Sequence, residues 1–185
     1  MDDGKVHERA MTHNDEDYTG ACCLLLWKED HGYCQRRWQV LIDANDLPWM
    51  SMYTWRVNRV GKLRLPRAMR HKIGKGVVYL HRYLTECPTG LVVDHINHDP
   101  LDNRRGNLRV CTVSQNNMNT RPSLKKASRF RGVAWNPSTK NWQVYVGFRT
   151  RKVMVGRFTD EIAAARAYNE FAEKAYGPYA YLNPV

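Results

Sequence analysis

Acidic residues are scarce over most of this chain. Of its 185 residues, 29 are Lys or Arg and 18 are Asp or Glu, which gives a formal net charge of +11. No acid occurs from Leu47 to Thr85 or from Asn103 to Thr159, although Lys and Arg recur through both stretches. Long positive stretches attract polyanions, and nucleic acid first among them. The charge pattern therefore predicts a protein that binds nucleic acid.

Cysteine and long apolar runs are also rare. The five cysteines are odd in number and contain no Cys-x-x-Cys pair, so they indicate neither a disulfide framework nor a zinc ribbon. The apolar run from Ala21 to Trp27 is too short for a membrane span or a signal peptide. We therefore expect a cytoplasmic protein with reduced cysteines and no membrane partner.

One polar segment, from Val93 to Asn117, concentrates side chains that can do chemistry. It holds a carboxylate, an imidazole and several amides among repeated turn signals. We expect a polar loop between two short strands, at Leu91–Val93 and Leu108–Cys111, and then a short helix that Thr112 or Ser114 can cap. The segment thus predicts a hairpin followed by a helix.

This segment has the groups that phosphodiester hydrolysis requires. The reaction needs a base that deprotonates water and a cation that stabilises negative charge on the phosphate. His95, with an ordinary pKa near ~6.5, can take the proton, and Asp94 and Asn116 offer oxygens to a hard ion that keeps several waters. Oxygen donors favour Mg²⁺ or Mn²⁺ over zinc. The plainer alternative is a surface turn rich in Asp and Asn.

The pattern from Val78 to Asn119 resembles the ββα-metal motif of HNH endonucleases, in their phage and intron-encoded homing form. The resemblance implies a divalent metal, Mg²⁺ before Mn²⁺, and a location in the host cytoplasm if the chain is phage-encoded. It also implies one role for each matching residue: metal ligation by Asp94 and Asn116, general base catalysis by His95, and bracing of the loop and orientation of His95 by Asn107.

Three other residues of this region have open roles. Asn116 stands where the family name has His, which leaves the metal's identity open. His98 stands where relatives often carry Gly, so it is a rival base or a phosphate contact. His81 is expected to pack, whereas Arg82 can reach a phosphate.

The C-terminal part of the chain has a different pattern. Runs of alternating residues at 131–135, 142–148 and 153–158 predict a three-stranded antiparallel sheet. A helix from Asp160 to Tyr176, capped by Thr159, follows them. We therefore expect a small sheet with one helix packed across it.

The order of motifs in this part resembles the AP2 DNA-binding domain. The resemblance is carried by Phe130-Arg131-Gly132-Val133, the pair Trp135 and Trp142, Val155-Gly156-Arg157-Phe158, and the helix that begins at Glu161. It implies a sheet in the DNA major groove with the helix behind it. Trp135 can belong to the core or to the contact surface. The implied DNA contacts are Arg131, Trp135, Gln143, Tyr145, Lys152 and Met154, with Arg149 and Arg151 on the backbone.

Together these observations predict an α+β chain of two modules. We expect a mobile acidic tail at 1–19, an HNH nuclease domain with a β-rich N-terminal extension at 20–119, a basic linker at 120–128 and an AP2-like domain at 129–185. The extension either adds a small sheet to the nuclease core or contacts DNA separately. Further contacts to the DNA backbone are expected from Arg82, Arg104, Arg105, Arg121, Lys125, Lys126 and Arg129.

The expected function is that of a site-specific, metal-dependent endonuclease acting on double-stranded DNA. A monomer with one Asp94-His95 pair would nick one strand. One alternative is a non-catalytic DNA-binding regulator with the same two modules. Another is a non-specific or RNA-directed nuclease in which the second module only raises affinity.

Overall fold

The computed structural model describes residues 21–27, 37–60, 65–72, 74, 76–122, 127–148 and 151–185. Helices and antiparallel strands are mixed, as expected for an α+β chain. The chain divides into two compact units, Met1–Cys111 and Thr112–Val185. The predicted tail at 1–19 and residues 123–126 of the predicted linker lie outside the described residues. No helix in the described ranges is long and apolar enough to cross a membrane.

The described residues of the first unit form three antiparallel sheets and two short α-helices. The loop from Ile96 to Asn107 joins the last two strands and ends in a 3-10 turn at Arg105–Asn107. In chain order the elements are β1 (Ala21–Trp27), β2 (Arg37–Asp43), α1 (Leu47–Met50), β3 (Arg56–Val60), β4 (Leu65–Lys72), β5 (Gly76–Tyr79), α2 (Leu80–Leu84), β6 (Val92–His95) and β7 (Leu108–Cys111).

The alternating residues from Val57 to Leu65 indicate strand structure, but they belong to two strands, because β3 ends at Val60 and β4 begins at Leu65. The two strands pair antiparallel, with Val60 opposite Leu65. The alternation is similar in both strands, so hydrophobic pattern alone does not show where the chain reverses. The predicted β6–β7 hairpin is confirmed.

The N-terminal strands share one hydrophobic core with the β6–β7 hairpin. Val40 and Ile42 of β2 are fully buried in a cluster with Leu80 and Leu84 of α2 and Leu108 of β7. Burial of each such side chain contributes roughly 1.5–3 kcal/mol. Of the two possibilities for the extension, the structure therefore shows a sheet that completes the core of this unit.

Strand β2 also holds the loop between β6 and β7 directly. The backbone amide of Leu41 donates to the carbonyl of Leu101 at 2.9 Å, and the amide of Asn103 donates to the carbonyl of Leu41 at 2.8 Å. These two bonds form an isolated parallel bridge between Leu41 and Asp102. The loop is therefore fixed to a strand far from it in sequence.

The second unit is a three-stranded antiparallel sheet with one long helix, preceded by a short helix. The strand order is β8-β9-β10, so β9 is central. Its elements are α3 (Val113–Met118), β8 (Val133–Asn136), β9 (Asn141–Phe148), β10 (Arg151–Phe158) and α4 (Glu161–Tyr176).

The two helices of this unit begin at different kinds of cap. Thr112 caps α3 in a capping box with Gln115, which confirms one of the two predicted caps. Helix α4 is capped by Asp160, whose Oδ2 accepts from the Ala163 amide at 2.7 Å, so the predicted Thr159 cap was wrong by one residue. A carboxylate also interacts favourably with the helix N-terminus.

Gly132 lies where the sheet meets helix α4. Val144 and Val146 of β9 are buried against Ala164 and Tyr168 of the helix. Gly132 has φ +76°, a backbone conformation that side chains rarely adopt, and a Cβ there would collide with the Tyr168 ring. The motif Arg131-Gly132-Val133 therefore needs glycine for both backbone conformation and packing.

We predict that Gly132→Ala destabilises the second unit by roughly 3 kcal/mol or more, because the added methyl group overpacks the core and the backbone conformation is strained. Urea unfolding followed by tryptophan fluorescence measures the effect. Gly147→Ala is the matched control, because a Cβ there meets only the Tyr176 hydroxyl at 3.6 Å. Equal stability of the two variants would contradict the prediction.

Candidate functional site

The loop between β6 and β7 is built around the carboxylate of Asp102, which is 2 % exposed. Arg104 donates to it twice, from Nε to Oδ1 at 2.8 Å and from Nη2 to Oδ2 at 2.7 Å. Asn97 donates from Nδ2 to Oδ2 at 2.8 Å. The bonds from Arg104 hold the pKa of Asp102 below its ordinary value, against the opposing effect of burial. Asp102 is therefore a charged, hydrogen-bonded centre of the loop.

Asn107 joins the two ends of this loop through its side chain. Its Oδ1 accepts from the Asn97 amide at 3.0 Å, and its Nδ2 donates to Asn97 Oδ1 at 3.0 Å and to the Asp102 carbonyl at 2.8 Å. Its own carbonyl accepts from the amide of Ile96 at 3.0 Å. These contacts fix the backbone immediately after His95, whereas the orientation of the imidazole by Asn107 stays a prediction.

His98 occupies a position whose backbone conformation suits glycine. Its φ is +64°, in the left-handed region that residues with a Cβ adopt at a cost. Its amide donates to the carbonyl of His95 at 2.9 Å, which closes a tight turn. This conformation explains why glycine is suited to the position. The alternative role of His98 as the base stays a prediction.

Asp94 lies at the end of β6, buried to 6 % exposure and paired with Arg109. The two residues are opposite each other in the β6–β7 register. Arg109 donates to Asp94 Oδ2 from Nε at 2.9 Å and from Nη2 at 2.6 Å. The carboxylate thus has a fixed position and a charge partner on the neighbouring strand.

His95 follows Asp94 and packs against a second histidine. The ring centroids of His95 and His81 are 5.3 Å apart with the rings edge to face, and His81 stacks on Tyr79 with centroids 5.6 Å apart. Burial lowers the pKa of His95, the Asn103 side chain opposes that shift, and the charge of Arg67 adds to it. Burial, followed by the charge of His95, lowers the pKa of His81 to about 3. Both imidazoles are therefore neutral near pH 7.

The donors at this site suit a hard cation better than a soft one. Among the residues that the structure describes, no group of three His, Cys, Asp or Glu side chains could hold a metal ion. Asp94 supplies a carboxylate, and the predicted second ligand, Asn116, lies half-buried on α3 in the second unit. A carboxylate, an amide oxygen and waters match the preference of Mg²⁺. The pairing of Asp94 with Asn116 as ligands stays a prediction.

Three arginines expected on DNA have their guanidinium groups occupied inside the first unit. Arg82 donates to the carbonyls of Leu91, Cys87 and Pro88 at 2.8–3.1 Å. Arg104 binds Asp102, and Arg105 binds the buried Asp46 at 2.8 Å and the Leu84 carbonyl at 2.9 Å. The structure thus gives Arg82, Arg104 and Arg105 structural roles, and their phosphate contacts stay a prediction.

Arg131 also has a structural role that its sequence position does not indicate. Its guanidinium donates to the carbonyls of Asn117 at 2.9 Å, of Met118 at 3.1 Å and of Thr120. These carbonyls lie at the end of α3, where the helix leaves acceptors unsatisfied. Its amide donates to Asn183 Oδ1 at 2.7 Å. Arg131 therefore caps this helix, and its contact with DNA bases stays a prediction.

The remaining DNA-contact candidates of the second unit divide between the two faces of the sheet. Trp135 lies edge to face with Trp142, centroids 5.1 Å apart, and shares a strand face with buried Val133, but it is 40 % exposed, so both alternatives for Trp135 stay open. Gln143 is buried, and its Oε1 accepts from the Tyr145 hydroxyl at 2.8 Å. On the face away from α4, Lys152 and Met154 are exposed. Of the arginines predicted to contact DNA elsewhere in the unit, Arg121, Arg129 and Arg151 are exposed, whereas Lys125, Lys126 and Arg149 lie outside the described residues.

Comparison with protein families supports a nuclease class for the loop and its flanking strands. Residues 78–118 match the family model described as HNH endonuclease. The matched range contains Asp94, His95, Asn107 and Asn116. This part of the chain is therefore similar to an HNH endonuclease domain, and HNH nucleases generally use divalent metals.

Relatives among curated proteins come from viruses. The chain is 29% identical over 150 residues to a protein named Uncharacterized HNH endonuclease L560 from Acanthamoeba polyphaga mimivirus, covering 78% of this chain and 74% of that protein. It is 29% identical over 56 residues to Protein 3.8 of Escherichia phage T7, covering 30% of this chain and 46% of that protein. No solved structure matches.

Sequence reasoning missed two residues that shape this site. Asp102 was noted only as part of a turn signal, although its carboxylate organises the loop. Arg109 was noted only as part of a basic stretch, although it pairs with Asp94. The second could have been found from the sequence, because opposite charges at facing positions of a hairpin attract each other once the register is assigned.

We predict that Asp102→Asn lowers the stability of the first unit by about 2 kcal/mol at pH 7, because a charge-assisted pair becomes neutral. The pKa of Asp102 is lower in the folded state than in the unfolded state. The ionised carboxylate therefore stabilises the folded state fully above the ordinary pKa of ~3.9, and this stabilisation is lost as the pH falls through the folded-state pKa. Urea unfolding at neutral and acidic pH measures both effects.

Asp99→Asn is the control for this prediction. Asp99 is an exposed carboxylate of the same loop, and its Oδ1 accepts from the Leu101 amide at 2.9 Å. Its substitution should change stability less than Asp102→Asn. A larger effect at Asp99, or an unchanged acid dependence in Asp102→Asn, would contradict the role of Asp102.

Proposed function

We propose that this chain is a metal-dependent, site-specific endonuclease of the homing HNH type that acts on double-stranded DNA. The observation that carries the proposal is the Asp94-His95 pair at the end of β6, beside a loop fixed by Asp102 and Asn107, inside the range that matches the HNH endonuclease model. The excess of Lys and Arg over Asp and Glu gives the chain a formal net charge of +11, which supports a polyanionic substrate.

In the proposed reaction, His95 acts as general base. Its half-buried, neutral imidazole takes a proton from water while the water oxygen forms a bond to phosphorus. The bond from phosphorus to the leaving sugar oxygen breaks, and that oxygen gains a proton from solvent. Asp94, with Asn116 as the predicted second ligand, would hold a Mg²⁺ or Mn²⁺ ion, which when bound stabilises negative charge on the phosphate.

The second unit is proposed to select the DNA site, as its resemblance to AP2 domains implies. Its sheet presents Tyr145, Lys152 and Met154 on the face away from helix α4. The ammonium group of Lys152 lies 4.0 Å from the centroid of the Tyr145 ring. A cation on an aromatic surface suits contact with a phosphate and the adjacent groove. We propose that one monomer nicks one strand.

A non-catalytic DNA-binding regulator is the second candidate, and the Asp94–Arg109 pair favours it. Arg109 already neutralises the carboxylate, at 2.6 Å. A metal ion would have to share Asp94 with this cation. Metal-dependent cleavage therefore separates the two candidates.

We predict that His95→Ala lowers the cleavage rate about a thousandfold with little change in DNA affinity, because it removes the base but no cation. Asp94→Asn and Asn116→Ala should weaken metal dependence more than DNA binding. Nicking of supercoiled plasmid with and without Mg²⁺ measures the rates, and binding in EDTA measures affinity.

His98→Ala is the control for this experiment, since it removes the other imidazole of the loop. A wild-type rate in His95→Ala together with inactivity of His98→Ala would transfer the base role to His98. Open circles that accumulate at limiting protein support a single-strand nick. Linear product that forms first, with a rate second order in protein, would mean that a dimer cuts.

We also predict that Lys152→Gln weakens DNA binding by the full chain roughly threefold to tenfold and reduces its dependence on salt, because one phosphate contact is lost. Arg166→Gln is the matched control, since Arg166 is an exposed cation on α4, behind the sheet. Binding to labelled duplex in EDTA at several salt concentrations measures both. An equal loss in the two variants would argue against the sheet as the contact surface.

A further inference from the structure

Arg67 on β4 differs from the other arginines near the site. Whereas Arg82, Arg104 and Arg105 bind carbonyls or carboxylates, the Nε atom of Arg67 is buried and has no hydrogen-bond partner among the described residues. A buried donor without a partner is costly, so such groups commonly serve a ligand.

The strand register directs Arg67 toward the two histidines. Met69 pairs with Tyr79, and Arg67 lies two residues before Met69, so its side chain is on the same sheet face as Tyr79. The guanidinium carbon lies 5.8 Å from the Tyr79 ring centroid. Tyr79 stacks on His81, which in turn contacts His95. Arg67 is therefore at one end of a row of rings that leads to His95.

The charge of Arg67 reaches both imidazoles. After burial and the charge of His95, it is the next cause that lowers the pKa of His81 to about 3. Neither β4 nor β5 contains an Asp or Glu that could pair with Arg67 within the sheet. A positive group thus lies near the two imidazoles, where it would attract a phosphate.

We propose that Arg67 binds the phosphate group whose hydrolysis His95 assists, through a non-bridging oxygen. This inference rests on the proposed nuclease function and adds a catalytic residue to it. Arg67 precedes the residues 78–118 that match the family model, so the N-terminal sheet would contribute directly to the site. A guanidinium group matches a phosphate geometrically and stabilises the charge that builds in the transition state.

The test compares wild-type protein, Arg67→Ala, Arg67→Lys and Lys72→Ala as full chains with Mg²⁺ and plasmid DNA. Lys72 is an exposed cation of the same strand, so its substitution controls for loss of net charge. Arg67→Ala should lower kcat roughly 100-fold with KM nearly unchanged. Arg67→Lys should retain part of the rate, and Lys72→Ala should cleave at the wild-type rate.

Free guanidinium ion supplies a readout that a structural role would not give. Low, non-denaturing concentrations should restore part of the rate to Arg67→Ala and leave Lys72→Ala unchanged.

If Arg67→Ala fails to fold, the kcat of Arg67→Lys decides, because this substitution preserves charge and bulk but not the planar guanidinium group. A kcat within threefold of wild type in the folded variant, or a loss confined to KM, would overturn the role of Arg67 alone. Absence of Mg²⁺-dependent cleavage by wild-type protein would instead overturn the proposed function, and this inference with it.

Discussion

The buried carboxylate of Asp102 is the constraint on which the candidate site depends. Removing a charge from water is costly unless its oxygens are paired, and Arg104 and Asn97 provide that pairing at 2.7–2.8 Å. Because the Asp102 backbone also accepts from Asn107, the same residue closes the loop. Leu41 of β2 holds the residues on either side of it. The N-terminal strands and the loop are therefore stabilised by one connected set of bonds.

Local signals in the sequence were sufficient for the elements that carry the site. Turn residues and short apolar runs predicted the β6–β7 hairpin, and Thr112 predicted the start of α3, because caps and turns are encoded within a few residues. Contacts between residues far apart in the sequence could not be predicted in this way. The reversal between β3 and β4 was missed, and so was the bond from Leu41 to the loop, since neither has a local pattern.

The arginines show a second limit of sequence reasoning. A basic stretch predicts polyanion binding, but it does not tell which guanidinium groups are used to stabilise the fold. Arg105 binds Asp46, a partner 59 positions earlier in the chain, and Arg131 caps α3. Of the cations proposed for DNA, those with exposed side chains and no such role, such as Lys152, carry the prediction best.

A site that hydrolyses a phosphodiester must be positive for its substrate and yet hold a base that is neutral. Burial of His95 against His81 meets the second requirement, because burial lowers the pKa of both imidazoles. Arg109 adds little net charge, since Asp94 offsets it. The positive charge for the phosphate must therefore come from a cation that no carboxylate neutralises, and from a metal ion when one is bound. Among the described residues of the first unit, Arg67 lies near the histidines and has a buried Nε without a hydrogen-bond partner, which is why we propose it, and not a paired arginine, for the phosphate.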